Sequence, residues 1–266
     1  MTVEPEAYGR LGRKEDARFI RGLGTFVDDI SLPGMLHGAI LRSPVAHARI
    51  RSLDATAARA HPQVEAVLTG ADLAERALAW MPTLAADVQA VLATDKVRFQ
   101  GQEIAFVVAR DRYSARDALE LISVEYEPLP PVVDARSALQ PEAPIVRDDL
   151  PGRADNHIFD WTAGDKAAAN AVFETAEVVV GRDMIYPRSH PAPLETCGIV
   201  ADYSSVSGRL TLWSTTQAPH AHRTLLAMVT VCRSTRSGSC RRTWAVDSAT
   251  RRRCTRAICV RSSRRW

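Results

Sequence analysis

The feature that most limits what this chain can fold into is an abrupt change of composition near Thr230. Residues 1–230 contain 23 Lys and Arg against 30 Asp and Glu, whereas residues 231–266 contain 11 Arg, no Lys and one Asp. The net charges of the two parts are therefore −7 and +10. A segment so rich in like charge, with few large apolar side chains, cannot offset the entropy lost on folding. We therefore expect the folded part to lie within residues 1–230 and the last 36 residues to form a disordered tail.

The length of 266 residues and the apolar content of 46% allow the chain to bury a core in one or two domains. No apolar run approaches the 18 or so residues that a membrane-spanning helix needs. The N-terminal residues have no apolar stretch behind their charges, so they do not resemble a signal peptide. Together these features favour a cytoplasmic protein.

The segment from Gly34 to Asp134 has the pattern of a compact α/β unit. Its clearest strand is Glu103–Ala109, a continuous apolar run that predicts burial on both faces. The other predicted strands in this segment are Leu36–Leu41, His47–Leu53, Val64–Leu68 and Ser123–Tyr126. Strands alternating with a helix indicate a mixed α/β layer.

One helix is predicted between the strands Glu103–Ala109 and Ser123–Tyr126. Ser114 and Asp117 have the spacing of a capping box, so the helix is expected to open at Ser114. Its apolar stripe at helical spacing comprises Ala115, Ala118, Leu119 and Ile122. The strand that follows is expected to stop at Glu127, where a proline-rich stretch begins.

A second unit is predicted from about residue 145. Its predicted strands are Ala176–Met184, Gly198–Tyr203 and Arg209–Ser214, the last two joined as a hairpin. Pro219 suits the first turn of a helix that continues to Val229. These strands are too few to close a sheet, so the unit is either a small edge domain or incomplete.

Three polar motifs in this second unit are candidates for function. His190, Glu195 and Cys197 could ligate a metal, but a fourth ligand is missing and two prolines hinder the geometry, which favours a rigid loop. Asn156 with the adjacent histidine predicts a turn closed by local hydrogen bonds. Gln217 precedes a helix start, where an amide and free backbone N–H groups can hold an anionic or oxo ligand.

The tail allows three interpretations. Its four cysteines could bind zinc, although their spacing does not match a C-x2-C knuckle. Its arginines could contact nucleic acid. Its mixture of Arg, Ser, Thr, Cys and Trp without Lys or Glu is also what a GC-rich gene yields when read out of frame. We favour the third interpretation, which makes residues 231–266 a frameshifted tail.

Several motifs of residues 11–230 resemble a known family. LGRK (residues 11–14), GTFVDD (24–29), LPGML (32–36) and RSPVAHARI (42–50) are similar to the α/β hammerhead domain of the xanthine dehydrogenase and aldehyde oxidase superfamily. A second set resembles its aerobic carbon monoxide dehydrogenase branch: MPTL (81–84), DVQAVLA (87–93), NHIF (156–159), GDK (164–166) and QAPH (217–220). The chain is thus identified as similar to the N-terminal part of a large, molybdenum-bearing subunit.

The resemblance implies a domain order. We expect an N-terminal arm at 1–23, an α/β (α+β) hammerhead domain at 24–134, the truncated start of a molybdopterin-binding domain at 145–230, and the out-of-frame tail. Gln217 occupies the position where the family's glutamine donates a hydrogen bond to an oxo ligand of the molybdenum. The resemblance makes the His190–Cys197 stretch part of the scaffold. No residue of this chain is expected to be catalytic or to ligate a metal.

The resemblance also implies a reaction, cofactors and partners. The carbon monoxide dehydrogenase branch oxidises carbon monoxide with water to carbon dioxide, using molybdopterin cytosine dinucleotide with molybdenum and copper. Its large subunit assembles with a flavin subunit and an iron–sulfur subunit in a hetero-oligomer, without nucleic acid or a transmembrane segment. The copper-binding cysteine, the base glutamate and the GGGFG cofactor loop do not occur in this sequence. We therefore expect this chain to bind no cofactor and to be inactive by itself.

Loss of one base after the Thr230 codon would explain the missing loop. Shifting the frame of residues 231–266 by one base permits a string that begins GLPEHKIR and contains GGGFG. Two other functions remain open: a different molybdenum hydroxylase acting on an aldehyde or heterocycle, and a non-enzymatic fragment whose basic Cys/Arg tail binds nucleic acid or zinc.

Overall fold

The computed structural model describes residues 16–75, 80–82, 88–150, 152–187, 189–190, 192–206 and 209–230. The described residues form two compact units. One comprises Leu36–Pro191, and the other joins the described residues before Leu36 to those from Ala192 to Thr230. The prediction of a disordered tail at 231–266 and most of the predicted arm lie outside the described residues.

The unit Leu36–Pro191 is built on two three-stranded antiparallel sheets. The first has the order β1-β7-β3, with β1 at His37–Arg42, β7 at Glu103–Ala109 and β3 at Val64–Thr69. The second has the order β6-β2-β8, with β6 at Lys96–Val97, β2 at Ala48–Asp54 and β8 at Ser123–Pro128. A short hairpin pairs β4 (Trp80–Pro82) with β5 (Val88–Ala90).

The apolar strand at Glu103–Ala109 is confirmed, and it forms the centre of its sheet. All its residues are buried except Phe106, which is half-buried. One face carries Ala105 and Val107 against helix α2 (Thr56–Arg59), Val67 and Ala118 of helix α4 (Arg112–Glu120). On the other face, Ile104 packs with Ala48, Ala93 and Val97. Packing on both faces explains why this strand lacks the polar–apolar alternation of a half-exposed one.

Helix α4 begins earlier than predicted. Its N-cap is Asp111, whose Oδ1 accepts hydrogen bonds of 2.9 Å from the backbone N–H groups of Tyr113 and Ser114. The Ser114 hydroxyl donates to Asp111 Oδ2 at 2.6 Å, so Ser114 lies within the first turn. A carboxylate accepts N-terminal N–H groups more strongly than a hydroxyl, which explains why the capping box at Ser114 and Asp117 was the wrong prediction.

Strand β8 continues two residues beyond its predicted end, through Pro128, which pairs with Ala48. Because β8 lies at the edge of its sheet, Pro128 needs no N–H group for a further neighbour. His47 then holds the chain that follows: its carbonyl accepts from Leu129 N at 2.9 Å, and its Nδ1 lies 2.7 Å from the Pro130 oxygen.

The predicted strand at Ala176–Met184 is not formed. It follows helix α5 (Lys166–Thr175), and its residues belong to neither a helix nor a strand. No hydrogen bond joins the backbone of these residues to another described residue. A strand is stable only when a neighbour satisfies its N–H and C=O groups, and none of the described segments forms such bonds with this one.

The second compact unit contains helix α1 (Asp16–Phe19), a 3-10 turn at Val27–Asp29, a hairpin and helix α6 (Pro219–Thr230). The hairpin pairs β9 (Ile199–Ser204) with β10 (Arg209–Ser214), as predicted. The other unit also holds helix α3 (Gly70–Glu75) and a 3-10 turn at Ser137–Leu139. No helix within the described residues is long and apolar enough to cross a membrane.

Candidate cofactor-contact site

The candidate site lies where β10 leads into helix α6. Three apolar side chains of the hairpin, Val200, Leu210 and Leu212, are buried, so the pairing with β9 fixes the position of β10. Ser214, at the end of β10, pairs with Ile199 and is itself buried. The hairpin therefore provides a rigid support for the residues that follow it.

Two threonines connect the hairpin to the helix. Thr215 is buried and donates its backbone N–H to the Gly198 oxygen at 3.1 Å. Its hydroxyl lies 3.4 Å from both Gly198 N and the Thr196 oxygen, accepting from the first and donating to the second. Thr216 Oγ1 accepts from Ala218 N at 3.0 Å. These bonds fix the backbone on both sides of Gln217.

Gln217 lies between this anchored loop and the first turn of the helix. Its side chain is exposed, and within the described residues it makes no hydrogen bond. Helix α6 starts at Pro219, and its first turn is closed by the bond of 3.1 Å from His222 N to the Ala218 oxygen. The amide of Gln217 is therefore available to donate to an oxo or anionic group beside the helix start, where the helix dipole favours negative charge.

His222 is the titratable group of α6 whose pKa departs clearly from its ordinary value. Burial among its neighbours lowers the pKa of this half-buried imidazole, which favours its neutral form. A neutral ring adds no positive charge one turn from Gln217. The lowered pKa of His222 thus favours an uncharged ring in the helix that follows the neutral amide of Gln217.

The described residues of the His190–Cys197 stretch form a loop. From Ala192 onward, this loop belongs to the same compact unit as α6. Glu195 Oε1 accepts a hydrogen bond of 2.9 Å from Val27 N, which ties the loop to the 3-10 turn at Val27–Asp29. Ala192 has a positive φ of 41°, which indicates a locally constrained backbone. Cys197 is exposed and forms no disulfide. The described residues contain no group of three His, Cys, Asp or Glu side chains able to hold a metal.

Asn156 has long-range contacts, contrary to the local hydrogen bonds that we predicted for it. His157 does bond locally: its backbone N–H donates to Asp155 Oδ1 at 2.9 Å, and its Nε2 lies 3.1 Å from Asp160 Oδ1. The Nδ2 of Asn156 donates to the Ala138 oxygen at 2.9 Å and to the Pro144 oxygen at 3.0 Å, while its Oδ1 accepts from Val146 N at 2.9 Å. An amide provides both donors and an acceptor, so one asparagine side chain can bond three backbone groups of a loop. Asn156 is therefore a structural residue of the linker.

Sequence reasoning missed a charged cluster in the Leu36–Pro191 unit. Lys96 is buried, and its Nζ lies 2.6 Å from Asp148 Oδ1. Arg98 Nη2 lies 3.3 Å from Asp149 Oδ1, and its Nε donates to the Val146 oxygen at 3.2 Å. The partners are about 50 residues apart in sequence, and no local pattern connects them. The cluster attaches the linker after the hammerhead segment to strand β6.

Two family profiles match the chain. Residues 21–130 match the aldehyde oxidase and xanthine dehydrogenase a/b hammerhead domain, and residues 150–236 match the molybdopterin cofactor-binding domain. Together they cover more than half of the chain. The chain belongs to the aldehyde oxidase and xanthine dehydrogenase family. The predicted fold class, a hammerhead domain followed by the start of a cofactor-binding domain, is confirmed.

Relatives within this family differ in how similar they are to the chain. The carbon monoxide dehydrogenase large chain of Hydrogenophaga pseudoflava is 54% identical over 229 residues, which are 83% of this chain and 28% of the relative. The nicotine 6-hydroxylase large subunit of Paenarthrobacter nicotinovorans is 36% identical over 226 residues, 82% of this chain and 27% of the relative. The crystal structure of a Cu,Mo-CO dehydrogenase in the carbon monoxide reduced state is 51% identical, with a TM-score of 0.76 over 84% of this chain and 29% of that one.

The chain therefore spans less than a third of the length of the relatives that it matches. The match to the cofactor-binding domain ends at residue 236, close to the change of composition near Thr230. Apart from residues 231–236, the matched residues thus lie in the part of the sequence with an ordinary composition.

Proposed function

We propose that this chain is part of the molybdenum subunit of an enzyme that oxidises carbon monoxide with water to carbon dioxide, two protons and two electrons. The observation that carries the proposal is the difference in identity between two kinds of relative. Over almost the same share of this chain, identity is 54% to a carbon monoxide dehydrogenase large chain and 36% to a nicotine hydroxylase subunit. A difference of this size favours the carbon monoxide branch over a hydroxylase of aldehydes or heterocycles.

The residues of the candidate site fit one contact of the molybdenum cofactor. Gln217 offers a neutral amide donor on an anchored loop beside a helix start, which suits an oxo ligand. When bound, molybdopterin cytosine dinucleotide would supply the two-electron redox chemistry. We propose that Gln217 orients this group by donating a hydrogen bond to it.

The described residues do not fit copper. Cu(I) prefers soft thiolate ligands, and the single cysteine in the described part of the chain, Cys197, lies exposed on a loop outside any group of three potential ligands. We therefore propose no role for this chain in binding copper. In the proposed enzyme, that metal would be bound by a part of the subunit that this chain does not span.

By itself, this chain should hold no stoichiometric molybdenum or copper and should not oxidise carbon monoxide, because one amide cannot retain a large cofactor. The complete enzyme would contain a flavin subunit and an iron–sulfur subunit and would work in the cytoplasm. Elemental analysis of the purified chain tests the first statement. One molybdenum per chain would contradict it.

The frameshift remains part of the proposal. It is supported by the change of composition near Thr230 and by a cofactor-domain match that ends at residue 236. We expect that inserting one G after the Thr230 codon gives a frame reading GLPEHKIR and then GGGFG, and that the frame continues to a cysteine loop and a base glutamate. If no frame contains such a sequence, the basic tail needs a function of its own. Salt-dependent retention on DNA, or zinc content, would then measure that function.

The substrate is tested with two chimeras. Residues 1–230 replace the aligned segment of the Hydrogenophaga large chain in one and of the nicotine 6-hydroxylase large subunit in the other, each expressed with its own partner subunits. We expect the first to contain molybdenum and to oxidise carbon monoxide at a rate within about tenfold of its parent. This corresponds to a change of at most about 1.4 kcal/mol in the activation free energy. A second chimera active on nicotine beside an inactive first one would contradict the proposal.

Within the active chimera, Gln217→Leu tests the amide. The leucine keeps the size of the side chain but removes the donor, so kcat should fall about 10²-fold while molybdenum content stays constant. The control is Gln140→Leu, an exposed glutamine of the linker, which should leave kcat unchanged. Equal rates for both variants would remove Gln217 from the site.

A further inference from the structure

The 3-10 turn near the N-terminus contacts the loop that precedes strand β9. Val27, in this turn, is buried and donates its backbone N–H to Glu195 Oε1 at 2.9 Å. The same valine approaches Gly198, since a Cβ atom on that glycine would lie 3.5 Å from Val27 Cγ1. A hydrogen bond to a carboxylate is stronger than one between neutral groups. The turn therefore holds segment 195–198 at both of its ends.

Thr215 holds the same segment from the hairpin. Its hydroxyl lies 3.4 Å from the Thr196 oxygen and from Gly198 N, and its backbone N–H donates to the Gly198 oxygen at 3.1 Å. The two contacts of the hydroxyl are long, so each is weak by itself. They are nevertheless costly to lose, because Thr215 is only 6% exposed and water does not readily replace its partners. Segment 195–198 is thus held between the 3-10 turn and Thr215.

The amide of Gln217 depends on its backbone for its position. Its side chain is exposed and makes no hydrogen bond within the described residues, so its own contacts do not select one rotamer. The backbone is held by Thr215 on one side and by the bond from Ala218 N to Thr216 Oγ1 on the other. A displacement of about 1 Å in a positioned group can cost about 10²-fold in rate. Whatever fixes Thr215 therefore affects what the amide can do.

We propose that Glu195 and Thr215 are positioning residues for the amide of Gln217. Both act through the backbone that carries Gln217, and neither acts by a contact of its own with cofactor or substrate. The 3-10 turn at Val27 thereby supports the cofactor contact, although it lies about 190 residues earlier in the sequence. The inference rests on the proposed role of Gln217 and adds the residues that make this role possible.

The first test is a double-mutant cycle in the carbon monoxide dehydrogenase chimera, expressed with its partner subunits. Thr215→Val keeps the shape of the side chain but removes the hydroxyl, and should lower kcat about tenfold with KM unchanged. In a chimera that already carries Gln217→Leu, the same change should lower kcat by less than about twofold, because no amide is left to position. Glu195→Leu should behave in the same way. Equal losses in the two backgrounds would overturn the proposal.

Two further variants separate positioning from general support of the hairpin. Thr215→Ser retains the hydroxyl and should keep kcat within about twofold of that of the unaltered chimera. Thr211→Val is the matched control, because Thr211 is also buried but pairs with Asp202 in the hairpin and not with segment 195–198. It should leave kcat unchanged. The same loss with Thr211→Val as with Thr215→Val would overturn the proposal, since any change in the hairpin would then have this effect.

The second test is independent of cofactor and activity and uses the full chain. Glu195→Leu removes the acceptor of the Val27 N–H, so the amides of Gly198 and Thr215 should exchange their hydrogens at least about threefold faster. Glu195→Gln keeps an oxygen acceptor and should exchange as the unaltered chain does. Glu142→Leu, at an exposed glutamate of the linker, is the matched control and should change neither amide. Unchanged exchange at both amides in Glu195→Leu would overturn the proposal.

The outcomes distinguish this inference from the proposed function. An unchanged kcat in Gln217→Leu would remove the proposed role of Gln217, and this inference with it. A lowered kcat in Gln217→Leu, together with equal effects of Thr215→Val in the two backgrounds, would overturn this inference alone.

Discussion

Strand β7 and the residues after α5 both contain consecutive valines, but only β7 forms a strand. Both contain consecutive valines, at Val107–Val108 and at Val178–Val180. Val107 is fully buried at the centre of a sheet, whereas Val180 is 85% exposed and pairs with no strand in the described part of the chain. Strand preference alone therefore does not form a strand, because the backbone groups of β7 are satisfied by β1 and β3. A strand therefore requires a neighbouring strand as well as a favourable sequence pattern.

The sharpest test of this difference is a matched pair of truncations. Ile104→Ala, in the buried β7, should lower the free energy of unfolding by about 2–5 kcal/mol, because it opens a cavity where the side chain is 0% exposed. Val180→Ala should change it by less than about 0.5 kcal/mol. Urea denaturation of the chain measures both. Similar losses at the two positions would mean that Val180 is covered in solution.

The second test asks whether the linker belongs to the stable region. Asp148→Ala removes the partner of a buried ammonium group, that of Lys96, and should cost up to about 3 kcal/mol. The double variant Lys96→Met with Asp148→Ala should recover most of that loss, since the buried ammonium group is removed together with its partner, and the single variant Lys96→Met completes the cycle. Additive losses in this double-mutant cycle would show that the ion pair contributes nothing.

The third test concerns the start of α4. Asp111→Ala removes two backbone hydrogen bonds and that of the Ser114 hydroxyl from the first turn and should cost about 1 kcal/mol. Asp117→Ala serves as the control, because it alters the capping residue suggested by the sequence but not used in the structure, and should stay within about 0.5 kcal/mol. The reverse order of the two losses would restore the capping box at Ser114.

The smallest expected effect is on the pH dependence of stability. Burial raises the pKa of Asp148. The hydrogen bond from Lys96 and the charges of Lys96 and Arg98 together lower it by more than burial raises it, so the pKa lies below its usual value. A depressed pKa contributes stability above the unfolded value of about 3.9, and that contribution is lost as the pH falls through the lower folded value. Denaturation midpoints from about pH 5 down to about pH 2 should therefore fall less in Asp148→Asn than in the unaltered chain. Equal decreases of the midpoint in the two proteins would show that Asp148 does not contribute to the pH dependence of stability.

Much of the fold follows from the sequence itself. The apolar run of β7, the hairpin of β9 and β10 and the helix opening at Pro219 are local patterns, and local patterns fix which residues form an element. The same holds for the family, because its motifs are stretches of contiguous residues. Gln217 could also be singled out, as an amide placed just before a helix start.

Tertiary structure decided which of these elements were completed and how they were joined. Asn156 and the Lys96–Asp148 pair connect segments that are distant in sequence, so no periodicity could indicate them. Asp111, not Ser114, is the N-cap because its carboxylate accepts hydrogen bonds from two backbone N–H groups of the folded turn. Val178–Val180 form no strand within the described residues, because a strand needs a neighbour to bond its backbone, and the local sequence does not determine whether a neighbour is there.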